Sequence, residues 1–217
     1  MPRDAFHHEL GEIEEAVVQM AALVESAIAR AMQALSRRDT LLADEVISGD
    51  RTINELQRNI RNRCISVMAR QAPVARDLRE LTTVQLVINE LERMADHAVG
   101  IAKQLAYING HEPLPMTGDL DEVAKLVRQQ VRDVIQAFVD VNVQAARDIC
   151  ARDDEIDHRY RTIFTELVTR MTRDPASVPV ATSLLFVAHD LERIGDRVTN
   201  IGEDIIFMVT GEIEELN

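Results

Sequence analysis

The stretch Asn89-Glu90-Leu91-Glu92-Arg93-Met94-Ala95-Asp96 returns one hundred residues later as His189-Asp190-Leu191-Glu192-Arg193-Ile194-Gly195-Asp196. Five of the eight positions are identical or exchange one carboxylate for the other. Upstream, residues 48–54 pair with residues 151–157 at an offset of 103, which places a three-residue deletion around residues 174–179. Recurrence in register is the mark of a duplicated architecture. The sequence therefore predicts two similar halves.

The composition of the chain favours helices. Its 217 residues are 46% hydrophobic but only 3% aromatic, with no Trp and eight Gly, which argues against a β-sandwich. Apolar residues recur every three or four positions, as at Leu10, Ile13, Val17, Met20 and Val24. The pattern predicts six long helices, at residues 4–37, 40–70, 74–109, 119–141, 143–172 and 178–210.

Helix-end signals support this division. Asp39 and Asn142 stand at equivalent places as N-caps of the second helix in each half. Four further residues mark the ends of the third helices: Pro73, Pro179, Gly110 and Gly211. The sequence thus predicts an all-α protein of two tandem three-helix bundles. The first repeat spans residues 1–112 and the second spans residues 118–217, joined by a Pro/Gly-rich link.

Net charge and targeting signals narrow the class of protein. A net charge of −13 argues against nucleic-acid binding and is compatible with cations or basic protein surfaces. The N-terminus lacks a secretory signal, and no stretch approaches the ~18 apolar residues of a membrane span. Cys64 and Cys150 lie alone on helical patterns. We expect a reduced, cytoplasmic protein without direct membrane insertion, so that any membrane contact goes through a partner.

Carboxylates recur at helical spacing in both halves. Glu92 and Asp96 are four residues apart, as are Glu192 and Asp196, so each pair lies on one helix face. The second helices repeat the step at residues 50 and 54 and at residues 153 and 157, and Asn200 extends the last stripe. If adjacent helices present these faces to each other, three or four oxygen ligands converge in each half. Such oxygens suit Mg²⁺, Mn²⁺, Fe or Zn²⁺.

A solvated surface explains the same pattern without a metal. On a helical wheel, Glu192, Asp196 and Asn200 point nearly opposite to the apolar stripe of their helix. Arg193 lies three residues from both Asp190 and Asp196, so an ion-pair ladder is available. Against this, neither Glu92 nor Glu192 has a Lys or Arg three or four residues away, and this absence recurs in register.

An enzyme is not indicated. Glu155 and His158 match the Glu-x-x-His spacing of di-iron bundles, but such a site needs two copies and the first half has none. The sequence contains no Gly-rich phosphate loop, nucleophile elbow or His-Glu-x-x-His motif. We therefore expect a protein that binds rather than catalyses.

These residues resemble the PhoU family of phosphate-uptake regulators, accessory proteins of phosphate-specific transport. The resemblance rests on three motifs. The first is residues 191–196 (Leu-Glu-Arg-Ile-Gly-Asp) followed by residues 199–201 (Thr-Asn-Ile), and the second is its first-half counterpart at residues 91–96. The third is residues 73–79 (Pro-Val-Ala-Arg-Asp-Leu-Arg). The resemblance covers nearly the whole chain. It implies two three-helix bundles related by pseudo-twofold symmetry, with metal clusters on their acidic faces.

The resemblance also implies a set of metal ligands. By position they are Asp50, Asn54, Glu92 and Asp96 in the first half and Asp153, Asp157, Glu192, Asp196 and Asn200 in the second. Two departures weaken the first set: Asn54 replaces an expected carboxylate, and Gly100 stands where the second half has Asn200. The second half is therefore predicted to bind metal more tightly.

The function implied by the resemblance is regulatory. Such proteins are negative regulators of phosphate uptake and of the phosphate-starvation response. They act as adaptors between a phosphate ABC transporter, contacted at its ATPase subunit, and a sensor histidine kinase. A homodimer is expected by the same analogy. The alternative is a structural metal-binding helical bundle without a role in phosphate signalling.

Overall fold

The computed structural model describes residues 2–112, 114 and 118–216, and within them the chain forms helices and no strand. The helices are α1 (Pro2–Arg37), α2 (Thr40–Gln71), α3 (Ala75–Ile108), α4 (Gly118–Val139), α5 (Val143–Cys150), α6 (Asp153–Arg173) and α7 (Val178–Thr210). A short 3₁₀ turn at Pro175–Ser177 precedes α7. None of the described helices is long and apolar enough to cross a membrane. The predicted all-α fold is confirmed.

Each half is a three-helix bundle. In the first half α1, α2 and α3 pack on one another, and in the second α4, the α5–α6 pair and α7 do the same. The halves meet through equivalent helices, α3 against α7 and α1 against α4, as pseudo-twofold symmetry requires. Buried side chains from α1 to α7 form one continuous apolar cluster. The two bundles therefore share a core.

In each half, the connection between the first two helices ends at the predicted N-cap residue. The backbone N–H of Leu42 donates to Asp39 Oδ1 at 3.0 Å, and that of Ala145 donates to Asn142 Oδ1 at 3.0 Å. Each bond satisfies one of the backbone donors that a helix N-terminus leaves without a partner. Both predicted caps are confirmed.

The same turns repeat each other bond by bond. The backbone N–H groups of residues 39 and 142 each donate to the carbonyl five residues back, with N···O distances of 2.9 Å. The residues before them, Arg38 and Val141, both have φ of +53°. A left-handed residue at this point closes the preceding helix and is usually Gly. Val141 holds this conformation despite its β-branched side chain, so the turn geometry outweighs a local strain.

The Pro and Gly signals are placed as predicted, with one shift. Pro179 lies in the first turn of α7, while Pro73 precedes α3 by two residues. Gly211 caps α7 with φ of +78°, and Gly110 follows the end of α3 with φ of +88°. Only a residue without a Cβ adopts these positive φ values without strain.

The predicted fifth helix, residues 143–172, is wrong as one piece. Residues 151 and 152 form a turn that separates α5 from α6, whereas α2 runs unbroken through the equivalent positions. Asp153, Asp154 and Glu155 occupy the first turn of α6, where negative charge is favourable beside the positive end of the helix dipole. The N-terminus of α6 therefore stabilises these three acids, and Asp153 is the first residue of that helix.

Removing a cap should destabilise the fold measurably. We expect Asp39→Ala to lower the free energy of unfolding by about 1 kcal/mol, because the N–H of Leu42 loses its acceptor. Urea denaturation followed by circular dichroism measures this. Asp44→Ala removes an exposed carboxylate from the same helix and is the matched control, with an expected change within about 0.5 kcal/mol. Equal effects of the two substitutions would contradict the capping role.

Candidate metal centre

The acidic row of α7 is half-buried rather than solvated. The opposite, apolar face of the helix is buried completely, at Leu191, Ile194, Val198, Ile201 and Ile205. The predicted core stripe is thus confirmed. Glu192 is nevertheless only 13% exposed and Asp196 only 26%, because α6 packs along this side of α7. Helix α7 is therefore covered on both faces, which the helical wheel alone did not predict.

In the second half the predicted ligands converge on one cleft. Asp153 and Asp157 of α6 face Glu192 and Asp196 of α7 across a cavity of about 490 Å³, and Asn200 completes the row. We call this cavity the acidic cleft. Its other lining residues are Cys150, Ala151, Asp154, Arg193, Arg197 and Leu216. All five second-half candidates line it.

Burial and neighbouring carboxylates raise the pKa of acids in the acidic cleft. Burial, followed by the nearby Asp196, raises the pKa of Asp153 to about 6. Burial and then Asp196 also raise the pKa of Glu192. Gly195 permits the close approach, since Asp153 Oδ1 lies 2.8 Å from the place that a Cβ on Gly195 would take. The cleft therefore has more negative charge than it neutralises.

Arg193 provides part of the missing positive charge. Its Nε lies 3.0 Å from Glu192 Oε2 and its Nη1 lies 2.9 Å from Asp196 Oδ2. The expectation that Glu192 has no cationic neighbour is therefore wrong, because a long side chain at the adjacent position reaches back. The contact with Glu192 is an ion pair without hydrogen-bond alignment. Of the predicted ion-pair ladder, the pair of Arg193 with Asp196 forms. The pair with Asp190 does not, because Asp190 binds His97 of α3 instead.

The first-half candidates also lie close together. Asn54 Nδ2 donates to Asp50 Oδ2 at 2.7 Å, while Asp50 Oδ1 and Asn54 Oδ1 are buried without a hydrogen-bond partner. Burial and then Asp96 raise the pKa of Asp50. Burial, followed by Asp96 and Asp50, raises the pKa of Glu92. The four residues thus share one electrostatic environment between α2 and α3.

Asn200 also faces the other half of the protein. Its Nδ2 donates to Glu90 Oε2 at 3.2 Å, and Arg197 Nη1 donates to the same oxygen at 3.3 Å. Glu90 lies on α3, so these bonds cross between the bundles. Asn200 therefore stands where the acidic cleft meets the α3–α7 contact, and its amide is already partly engaged.

The equivalent contact on the other side of the interface between the halves lies beside Gly100. Asp190 of α7 pairs with His97 of α3, with Oδ1 3.0 Å from Nδ1. A Cβ at Gly100 would lie 2.7 Å from Asp190 Oδ2. A side chain at residue 100 would therefore require the Asp190 carboxylate to move. Glu90 and Asp190 are equivalent acids of the repeated stretch, and the repeat alone does not indicate that each contacts the opposite half.

The single Glu-x-x-His match does not contribute to the cleft. Glu155 accepts hydrogen bonds from Arg159 Nε and Nη2 at 3.2 and 3.0 Å. His158 is exposed and is not among the residues lining the acidic cleft.

The donor sets fit a cation in their chemistry. Within the described residues, no three His, Cys, Asp or Glu side chains form a ready-made metal site. The available donors are carboxylate and amide oxygens, which suit hard or borderline ions. Both sets contain a buried carboxylate oxygen without a hydrogen-bond partner, Asp50 Oδ1 in the first and Glu192 Oε2 in the second, so their negative charge is only partly compensated.

The stability of the metal-free protein should depend on pH through Asp153. Because its pKa is about 6 in the folded protein and 3.8 ordinarily, the folded state binds the proton more tightly. Stability is therefore lost as pH rises through about 6. In chelator at pH 7.5, we expect Asp153→Asn to be more stable than wild type by on the order of 1 kcal/mol, a value discounted for partial exposure. The gap should close toward pH 4.

Thermal denaturation across pH 4–8 makes the measurement. Asp154→Asn, an exposed acid in the same helical turn, is the control and should keep the wild-type profile. A difference between Asp153→Asn and wild type that does not vary with pH would exclude this titration.

Comparisons with known proteins agree with the geometry. The PhoU domain matches residues 17–105 and 120–205. A phosphate-specific transport system accessory protein PhoU homolog of Clostridium acetobutylicum is 36% identical over the full length of both chains. The corresponding homolog of Caulobacter vibrioides is 36% identical over 96% of this chain and 91% of its own.

Solved structures agree as well. The phosphate transport system regulatory protein PhoU of Streptococcus pneumoniae superposes with a TM-score of 0.91 at 30% identity, over 97% of this chain and all of the other. PhoU of Pseudomonas aeruginosa gives a TM-score of 0.89 at 31% identity, over 95% of this chain and all of its own. Two matched domains, relatives aligned from end to end and superposable structures lead to one conclusion: this chain belongs to the PhoU family.

Proposed function

We propose that this chain is a regulatory accessory protein of a phosphate transport system. The observation that carries the proposal is full-length membership of a family whose relatives are named for that role. In this role the protein is a negative regulator of phosphate uptake and of the phosphate-starvation response, active when phosphate is plentiful. It acts by binding partners and not by catalysis.

The partners follow from the same reasoning. The protein serves as an adaptor in the cytoplasm, between a sensor histidine kinase and the ATPase subunit of a phosphate ABC transporter, and it functions as a homodimer. Features of the structure support an adaptor. The shared core ties both halves into one body, and the ion pairs of Glu25 with Arg128 and Arg132 join α1 to α4. Such a body can transmit a change at one face to another.

Metal ions have a defined place in this proposal. The acidic cleft would hold Mg²⁺, Mn²⁺, Fe or Zn²⁺ through Asp153, Asp157, Glu192 and Asp196, and the first-half set would hold a second site. A bound cation supplies the positive charge that the clustered carboxylates lack. The residues themselves fix α6 against α7 when they share such an ion, so metal binding would stiffen the bundle.

A structural metal-binding bundle without a role in phosphate signalling is the second candidate. It shares the carboxylate sets and differs in its biological effect. A phenotype in phosphate-rich medium therefore separates the two.

Deleting the gene should release the starvation response. We expect high secreted phosphatase activity in a deletion strain grown with abundant phosphate, and restoration of low activity by the wild-type gene. The assay is colorimetric hydrolysis of a phosphate ester by culture supernatant. Glu192→Gln combined with Asp196→Asn should restore less than wild type does, with Glu166→Gln, an exposed acid of α6, as control. Low activity in the deletion strain would favour the structural alternative.

The two metal sites should differ in occupancy. We expect Asp153→Asn with Glu192→Gln to remove the larger share of bound metal, and Asp50→Asn with Glu92→Gln the smaller share. The reason is that Asn54 and Gly100 leave the first half with fewer oxygen ligands. Full-length variants are dialysed against an equimolar mixture of Mg²⁺, Mn²⁺, Fe²⁺ and Zn²⁺ and analysed by mass spectrometry of the elements, with circular dichroism to verify folding. An equal or greater loss from the first-half variant would refute the ranking.

A further inference from the structure

The chain after α7 folds back and fills a groove of its own second half. Gly211 turns the backbone, and residues 211–216, which we call the strap, return along α7. Glu214 binds Arg147 of α5 through two contacts, 3.2 Å to Nε and 2.8 Å to Nη2. The backbone N–H of Leu216 donates to Glu203 Oε1 of α7 at 2.8 Å, and its side chain packs against the core. The strap therefore covers the groove between α5 and α7.

Among the described residues, the first half has an equivalent groove that no segment like the strap lines. Applying the repeat offsets, Arg147 corresponds to Asp44 of α2, and Glu203 corresponds to Lys103 of α3. Both of these residues line an open groove of about 240 Å³ between α2 and α3, which we call the first-half groove. Its remaining lining residues are Thr40, Ala43, Ile47, Ala102, Leu105, Ala106 and Tyr107.

Equivalent residues are more exposed beside the first-half groove than beside the strap. Ala106 is exposed, while its equivalent Ile206 is 1% exposed. Tyr107 is 67% exposed, while its equivalent Phe207 is half-buried. Positions 44 and 103 are likewise exposed where positions 147 and 203 are half-buried. The first-half groove thus presents the surface that the second half covers with its own chain.

The described part of the linker takes another path. Arg38 Nη1 donates to the carbonyl oxygen of His111 at 2.9 Å, which holds the linker near the end of α1. His111 and Leu114 are not among the lining residues of the first-half groove.

We propose that the first-half groove binds an extended segment of a partner protein in the way that the strap occupies the second half. The strap shows which side chains such a segment needs. One charged side chain must pair with α2, as Glu214 pairs with α5, and an apolar side chain two residues later must pack against the core, as Leu216 does. The charges of the groove are inverted relative to the second half. Asp44 selects a Lys or Arg where the strap has Glu214, and Lys103 donates to a backbone carbonyl or terminal carboxylate.

The inverted charges disfavour the strap of a second copy as the occupant. Its Glu214 would face Asp44, and like charges brought together are repelled. The recognised sequence is therefore a basic residue, any residue, then an apolar residue. The proposal does not require the role in phosphate regulation, and peptide binding is measured in chelator because Lys103 also acts on Asp50 of the first-half carboxylate set.

A pair of peptides tests the proposal. Both span residues 209–217 with an N-terminal fluorescein; one has the native sequence and the other carries Glu214→Arg. Fluorescence anisotropy against the full-length protein should show the Glu214→Arg peptide binding about fivefold tighter than the native one, the ratio expected of one partly exposed charge pair.

Charge reversal of the groove supplies the control. The variant Asp44→Arg with Lys103→Glu copies the second-half charges, and both positions are exposed, so the fold should persist by circular dichroism. This variant should prefer the native peptide, while the second-half groove stays unchanged. Failure of both peptides to bind at about 1 mM, equal binding of the two, or a preference that the reversal leaves unaltered would each overturn the proposal.

Discussion

The packing of α3 against α7 determines where the functional groups of this protein lie. Each helix buries an apolar stripe in the shared core, represented by Leu91 and Leu191, both fully buried. A helix that commits one face to the core has its carboxylates, four residues apart, fixed on the other side. There they meet the neighbouring helix of the same bundle, α2 or α6. The duplicated acidic sets are thus a consequence of where the apolar residues go.

This arrangement brings like charges together against their electrostatic preference. Clustered carboxylates with raised pKa values cost stability at neutral pH, and the burial of the shared core must offset that cost. The electrostatic repulsion differs between the carboxylate sets of the two halves. In the first half burial and Asp96 raise the pKa of Asp50 and Lys103 offsets part of that rise, whereas Glu203 stands at the equivalent position in the second half. The stronger negative potential therefore belongs to the second half, where a cation has more repulsion to relieve.

Local signals in the sequence predicted local structure well. The caps at Asp39 and Asn142, the apolar stripe of α7 and the duplication itself each depend on residues within one or two helical turns. The break at residues 151–152 escaped prediction because apolar periodicity continues across it. The contact of Arg193 with the adjacent Glu192 lies outside the three- and four-residue spacings that place side chains on one helix face. The contacts of Glu90 and Asp190 join residues about one hundred positions apart, and no pattern within one helix encodes them.

The strap makes the two halves functionally unequal despite their common fold. The strap follows α7 directly and fills the groove beside that helix. In the filled groove Arg147 binds the carboxylate of Glu214. In the open groove Asp44 would repel the same segment, while Lys103 replaces the acceptor that holds the backbone of Leu216. Two substitutions of opposite sign on facing helices thus keep the strap in one place and leave a complementary surface on the other half. A metal in the acidic cleft, beside Leu216, would lie next to the strap, whereas the first-half groove faces outward for a partner.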